Sequence, residues 1–120
     1  MNNTYSFVYW ARMNGDTMNN KMVWGFYGSG NHYLDFYPIN NKFTLNNGSV
    51  NTNLQFGDGV DIITDKQWHH YAIVGDIDKA LLYIDGIFKG QTNGLFTIPN
   101  APLILSGWHK DLNNYRWNDG

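Results

Sequence analysis

The stretch Trp68-His69-His70-Tyr71-Ala72-Ile73-Val74, followed after a turn by Ala80-Leu81-Leu82-Tyr83-Ile84-Asp85-Gly86, decides the fold class. Gln67 to Val74 is rich in aromatic and β-branched residues and predicts a strand. Gly75 to Lys79 predicts a turn, and Ala80 to Ile84 a second strand. Asp85-Gly86 is a two-residue type I′ turn signal, and Ile87 to Lys89 returns antiparallel. Asp and Gly are the residues that accept the positive φ such a turn requires, so Asp85 is read as a turn residue rather than a catalytic one.

The same vocabulary continues in both directions from this hairpin. Thr4 to Arg12 predicts a strand with faces Tyr5, Phe7, Tyr9, Ala11 and Ser6, Val8, Trp10, Arg12. Both faces carry apolar or aromatic residues, which predicts burial between two layers, with Trp10 and Trp68 packing the layers together. Lys21 to Tyr27 is a strand ended by Gly28-Ser29-Gly30. His32 to Tyr37 is another, closed by Pro38 and Asn40-Asn41. Lys42 to Leu45 precedes the turn signal Asn46-Asn47-Gly48, and Val50 to Phe56 is a weaker strand. Met13 to Asn20 and Gly57 to Asp65 read as loops. Thr97-Ile98 and Leu103 to Trp108 are later strands, and His109 to Gly120 is a polar tail with embedded aromatics. Strands recur about every eight to twelve residues with no helical period, the pattern of a sandwich or barrel.

Composition narrows the function. The chain has 120 residues and a formal charge of −2. Its length suits one domain. Its charge supplies no field to draw in nucleic acid or anionic lipid, so neither is an expected partner. No apolar run approaches the length of a membrane-spanning helix, so no membrane insertion is expected. Met1-Asn2-Asn3-Thr4 does not open a signal-peptide pattern. The absence of cysteine excludes disulfides, a thiolate nucleophile and Cys-ligated zinc. All ten acidic residues are Asp, which removes every mechanism built on Glu.

Three segments in order resemble a known family. They are Tyr5-Ser6-Phe7-Val8-Tyr9-Trp10-Ala11-Arg12, the Trp68 to Gly86 hairpin, and Pro102-Leu103-Ile104-Leu105-Ser106-Gly107-Trp108. Together they resemble laminin G-like domains of the concanavalin A-like lectin and glucanase superfamily. The resemblance implies an all-β, two-sheet antiparallel jelly-roll sandwich forming a single domain over residues 1–120. Family members carry a strand before the position of Tyr5 and a closing strand after an aromatic-Asn-Gly stretch. Tyr115-Arg116-Trp117-Asn118-Asp119-Gly120 resembles the approach to that closing strand. The resemblance therefore implies a domain truncated at both ends, with an open edge available for interchain strand pairing.

The resemblance also shapes the expected chemistry. Glycoside hydrolysis needs two carboxylates across the scissile bond. The glucanases of this fold place Glu pairs on a central strand, and this chain has none. Asp76 and Asp78 fall in a turn, so no enzyme activity is expected. Members of the fold bind Ca²⁺ at the sandwich rim, and a carboxylate-bearing loop suits that ion. Asp58, Asp61 and Asp65 share one loop and are the candidate calcium ligands. His69 and His70 are adjacent on a strand, point to opposite faces and do not grip one ion; they are read as structural.

Twenty aromatic residues exceed the needs of a small core. Sugar rings stack their C–H faces on flat aromatics, and their hydroxyls are met by Asn, Asp and His. Trp24, Tyr27, His32, Tyr33, Tyr37, Trp108, His109, Tyr115 and Trp117 are the candidate ligand-binding residues. The expectation is a non-catalytic module that recognises a glycan or surface protein, placed outside the cell, at a cell surface or on a virion. A structural assembly domain completed by a neighbouring chain is the alternative, and a glycoside hydrolase of the same superfamily ranks below both.

Overall fold

The computed structural model describes residues 4–13, 23–28, 31–47, 52–76, 78–93, 100–105, 107–111 and 114–117. These form eleven strands in chain order: β1 Tyr5–Arg12, β2 Trp24–Gly28, β3 Asn31–Ile39, β4 Lys42–Asn47, β5 Thr52–Gln55, β6 Trp68–Asp76, β7 Lys79–Ile84, β8 Ile87–Asn93, β9 Leu103–Leu105, β10 Gly107–Asp111 and β11 Asn114–Trp117. A four-stranded sheet runs β1-β6-β7-β8 and a five-stranded sheet runs β5-β4-β3-β2-β9, with β10 and β11 pairing separately. All pairings are antiparallel. The chain thus leaves one sheet after β1, builds most of the other, returns for β6 to β8 and crosses again to β9.

The turns have local causes. Asp85 and Gly86 take φ of 52° and 79°, the left-handed pair a type I′ hairpin needs. Asn40 and Asn41, at 52° and 59°, make the same kind of link between β3 and β4. Several strands run further than their residues suggest. β4 continues through Asn46 and Asn47, which pair with Asn53 and Thr52, and residues 48–51 lie outside the described set. β3 continues through Pro38, whose missing N–H is tolerated because the β2 pairing has ended at Trp24 opposite Phe36. The polar tail from His109 supplies most of β10 and all of β11, which pair antiparallel. The strand expected at Thr97-Ile98 falls outside the described residues.

Aromatic rings join the two sheets. Phe7 of β1 stacks on Trp24 of β2 at 4.1 Å, Trp24 on Phe36 at 5.9 Å, and Phe36 on Phe43 at 4.9 Å. Phe43 meets Tyr71 edge-on at 5.6 Å, and Tyr71 stacks on Tyr9 at 5.4 Å, which returns the series to β1. Leu45, Phe56, Ile73, Leu82 and Ile84 fill in around the rings and are buried. Tyr5 pairs directly with Gly75, and a Cβ on that glycine would sit 2.2 Å from the tyrosine ring. Glycine is what lets Tyr5 lie flat across β6.

One expectation fails here. β1 is buried on one face only, with Val8 60% and Trp10 64% exposed, and Trp68 of β6 is 61% exposed. Neither tryptophan packs the sheets together. The inner positions of β1 are taken by Tyr5, Phe7, Tyr9 and Ala11, and alternation turns Trp10 to the opposite side.

Phe36 is fully buried and touches ring neighbours in both directions. Phe36→Ala is expected to lower unfolding free energy by about 3–5 kcal/mol in urea titration. Tyr71→Phe is expected to be neutral or stabilising, because the buried Tyr71 hydroxyl has no hydrogen-bond partner among the described residues. A loss above about 1 kcal/mol in Tyr71→Phe would show that the hydroxyl is satisfied.

Candidate functional site

The β1–β6 register places Trp10 opposite His70 and Arg12 opposite Trp68. All four side chains stand on the outward face of the four-stranded sheet, two from each strand. Cross-strand neighbours have Cβ atoms about 5 Å apart, and residues two apart along a strand are separated by about 6.6 Å. The result is a compact tile with two indoles on one diagonal and a guanidinium and an imidazole on the other. The Trp10 and His70 rings meet edge-on at 5.3 Å. The Arg12 guanidinium lies over the Trp68 ring at 5.7 Å, a cation–π contact that restrains both side chains.

The tile continues inward along the same face. Val8 is in register with Ala72, Ala72 with Tyr83, and Tyr83 with Phe88. The Tyr83 and Phe88 rings meet at 5.7 Å, and Phe88 is 53% exposed. Apolar groups therefore span all four strands on a face turned to solvent. A run of this kind marks an interaction surface more often than an isolated exposed side chain does.

One carboxylate bond and one backbone bond hold the β6 end of the tile. The His70 N–H donates to Asp85 Oδ1 at 2.9 Å, and the Asp85 N–H donates to His70 O at 2.8 Å. The other carboxylate oxygen of Asp85 accepts from His69 Nδ1 at 2.6 Å. On its far side, His69 Nε2 faces Asp65 Oδ2 at 3.0 Å. Asp65 also accepts the Gln67 N–H at 2.9 Å. Both His69 nitrogens thus meet carboxylates, and the ring serves as an imidazolium bridge between the 65–67 bend and the β7–β8 turn.

The electrostatics follow from this bridge. Hydrogen bonds to Asp85 and then Asp65 raise the His69 pKa. The Gln67 N–H and then His69 lower that of Asp65, while His69 and then the His70 N–H lower that of Asp85. A histidine raised on folding contributes stability that is fully present below its unfolded value of 6.5 and is lost as pH climbs through the folded value. Carboxylates lowered on folding contribute stability present above 3.8 and lost as pH falls through their lowered values. The bridge therefore acts most fully between those limits.

Residues 1–118 match a laminin G-like family model described as the concanavalin A-like lectin/glucanases superfamily. The chain belongs to this superfamily. No curated protein matches it. The two antiparallel sheets are the jelly-roll sandwich of the superfamily, and membership supports a lectin-like binding module without choosing a ligand.

Within this laminin G-like domain the sequence-predicted residues are distributed unevenly. Trp24 is a core residue, 1% exposed between Phe7 and Phe36, and offers no face to a ligand. Its position on β2, opposite Phe36, turns it inward. Tyr27 lies on β2, His32, Tyr33 and Tyr37 on β3, Trp108 and His109 on β10, and Tyr115 and Trp117 on β11. Register sets Tyr27 opposite His32 and His109 opposite Tyr115. The side chains of these eight lie outside the described set.

The Asp loop is a strap along the start of β4, where the Phe43 N–H donates to Val60 O and the Ile62 N–H to Asn41 O. Asp61 accepts from Lys42 Nζ at 2.6 Å and Asp65 is held by His69, while Asp58 is exposed. Two of the three carboxylates thus already face a cation. Among the described residues no three His or Asp side chains converge as a metal site. The arrangement does not fit a calcium ion held by Asp58, Asp61 and Asp65 together.

The sequence alone does not single out the tile, because its pattern places Trp10 and Trp68 in the core and reads His70 as structural. A signal for them exists in β1 itself. Its even positions begin with Ser6 and end with Arg12, both solvent-tolerant, while its odd positions contain no charge.

His69→Gln is expected to destabilise the domain, with the difference from the parent largest between pH 3.8 and 6.5 and shrinking as pH rises above 6.5. Urea denaturation across that range measures it. A difference that is flat or grows with pH would exclude the imidazolium bridge.

Proposed function

We propose that this domain is a non-catalytic binding module that recognises a glycan, on a cell surface or a surface protein, through the outward tile of Trp10, Arg12, Trp68 and His70. The observation that supports this reading is the exposure of two indoles above 60% on a rigid strand pair, next to groups that hydrogen-bond. Exposed indoles cost solubility and suit the apolar C–H face of a pyranose. Arg12 donates and His70 donates or accepts, which suits ring hydroxyls. The absence of Glu from the chain supports a binding role over glycosidase chemistry. Such a module works at an extracellular, cell or virion surface, where glycans are presented.

A glycan array with the recombinant domain tests this, run once with calcium and once with chelator. Saturable binding to a defined glycan group is expected, weakened about tenfold in Trp10→Ala and in Trp68→Ala. Calcium is expected to leave the signal unchanged, since the tile contains no carboxylate. Absence of binding by a folded sample in both buffers would sink the glycan reading. Full binding by the Trp10→Ala/Trp68→Ala double variant would move the site off the tile.

A further inference from the structure

The two sheets differ by one strand, and the mismatch falls on one side. β5 lies against β8, where the Gly57 N–H donates to Gln91 O at 2.8 Å. β2 lies against β1, where Phe7 stacks on Trp24 at 4.1 Å and meets Phe26 edge-on at 5.7 Å. Strand order then carries β9 one place beyond β1. Leu103 and Leu105 are register partners of the buried Phe26 and Trp24, so they share the core-facing side of their sheet. They are nevertheless 45% and 68% exposed: of the described strands β10 approaches β2 and β9, and it leaves both leucines open to solvent.

The strand position beneath β9 is also the open edge of β1. Among the described residues β1 pairs with β6 alone. Its eight residues contain no proline, the β6 register shows no bulge, and Arg12 is its one charge. It therefore lacks the devices that usually protect an edge. Unpaired N–H and C=O groups along β1 and an apolar roof from β9 together define a slot shaped for one strand.

We propose that this slot binds a single extended segment by strand addition to β1, independently of the glycan reading. The segment alternates apolar and polar residues, with the apolar ones turned towards Leu103 and Leu105. An acidic residue beside Arg12 completes it, since no carboxylate among the described residues pairs with that guanidinium and a charge-assisted bond is available there. A second copy presenting its own β1 does not fit. Its β2 layer would occupy the space that β9 already roofs, so the donor strand must come without a second layer at that edge.

Fluorescence anisotropy with labelled decapeptides tests the proposal. One peptide alternates Val and Thr with one Thr replaced by Glu, one carries Gln instead of Glu, and one has the same residues in a non-alternating order. The alternating Glu peptide is expected to bind saturably, about tenfold or more tighter than the scrambled one. Hydrogen exchange is expected to slow at β1 amides between Phe7 and Ala11. Leu105→Asp, at an exposed position, is expected to weaken binding about tenfold without changing the melting temperature. Arg12→Gln is expected to abolish the preference for Glu over Gln. Failure of the folded domain to bind any peptide, equal binding of the scrambled peptide, or binding without β1 protection would overturn the proposal. So would a symmetric dimer paired through β1.

Discussion

The register between β1 and β6 is the constraint on which the rest of the structure depends. Eight consecutive pairs, from Tyr5 opposite Gly75 to Arg12 opposite Trp68, set the parity of both strands. A slip by one residue would turn every side chain to the other face. In the observed parity Tyr5, Phe7, Tyr9, Tyr71 and Ile73 meet the second sheet, and the aromatic series through Trp24, Phe36 and Phe43 closes. The same parity sends Trp10, Arg12, Trp68 and His70 outward. Core and candidate site are thus two consequences of one pairing.

The hairpin turn couples that register to the site. Asp85 sits in the turn with positive φ, and its carboxylate and N–H both engage the backbone of His70. Its second oxygen reaches His69, which in turn reaches Asp65. Exposed ion pairs contribute little singly, so the bridge matters more for position than for stability. It anchors the point where β6 begins and where Trp68 and His70 stand. The exposed Lys42–Asp61 pair does similar local work on the strap.

The strand imbalance gives the molecule a side. On the β8 side the two sheets meet and the strap closes over them, with Phe56 fully buried. On the β1 side β9 overhangs, and its two leucines remain in solvent. The outward tile and the open edge lie on the same strand, so β1 contributes one face to the core, one face to a candidate ligand surface and one edge to solvent.

Residue chemistry alone determined much of this protein. The β-rich vocabulary, the Asp85-Gly86 turn, the three ordered segments of the laminin G-like family and the lack of Glu were legible because each depends on local backbone preference or on residue identity. The parity of His69 and His70 was legible too, since alternation is a property of any strand. Ser6 and Arg12 lean the even face of β1 outward, but tertiary structure decided which aromatic face is buried, because Tyr9 and Trp10 are equally suited to a core until a second sheet covers one of them. It also decided that Trp24 is a core ring, that Asp61 and Asp65 answer to Lys42 and His69, and that Leu103 and Leu105 of β9 stay exposed. These depend on which groups long-range pairing brings together, and no spacing along the chain encodes that.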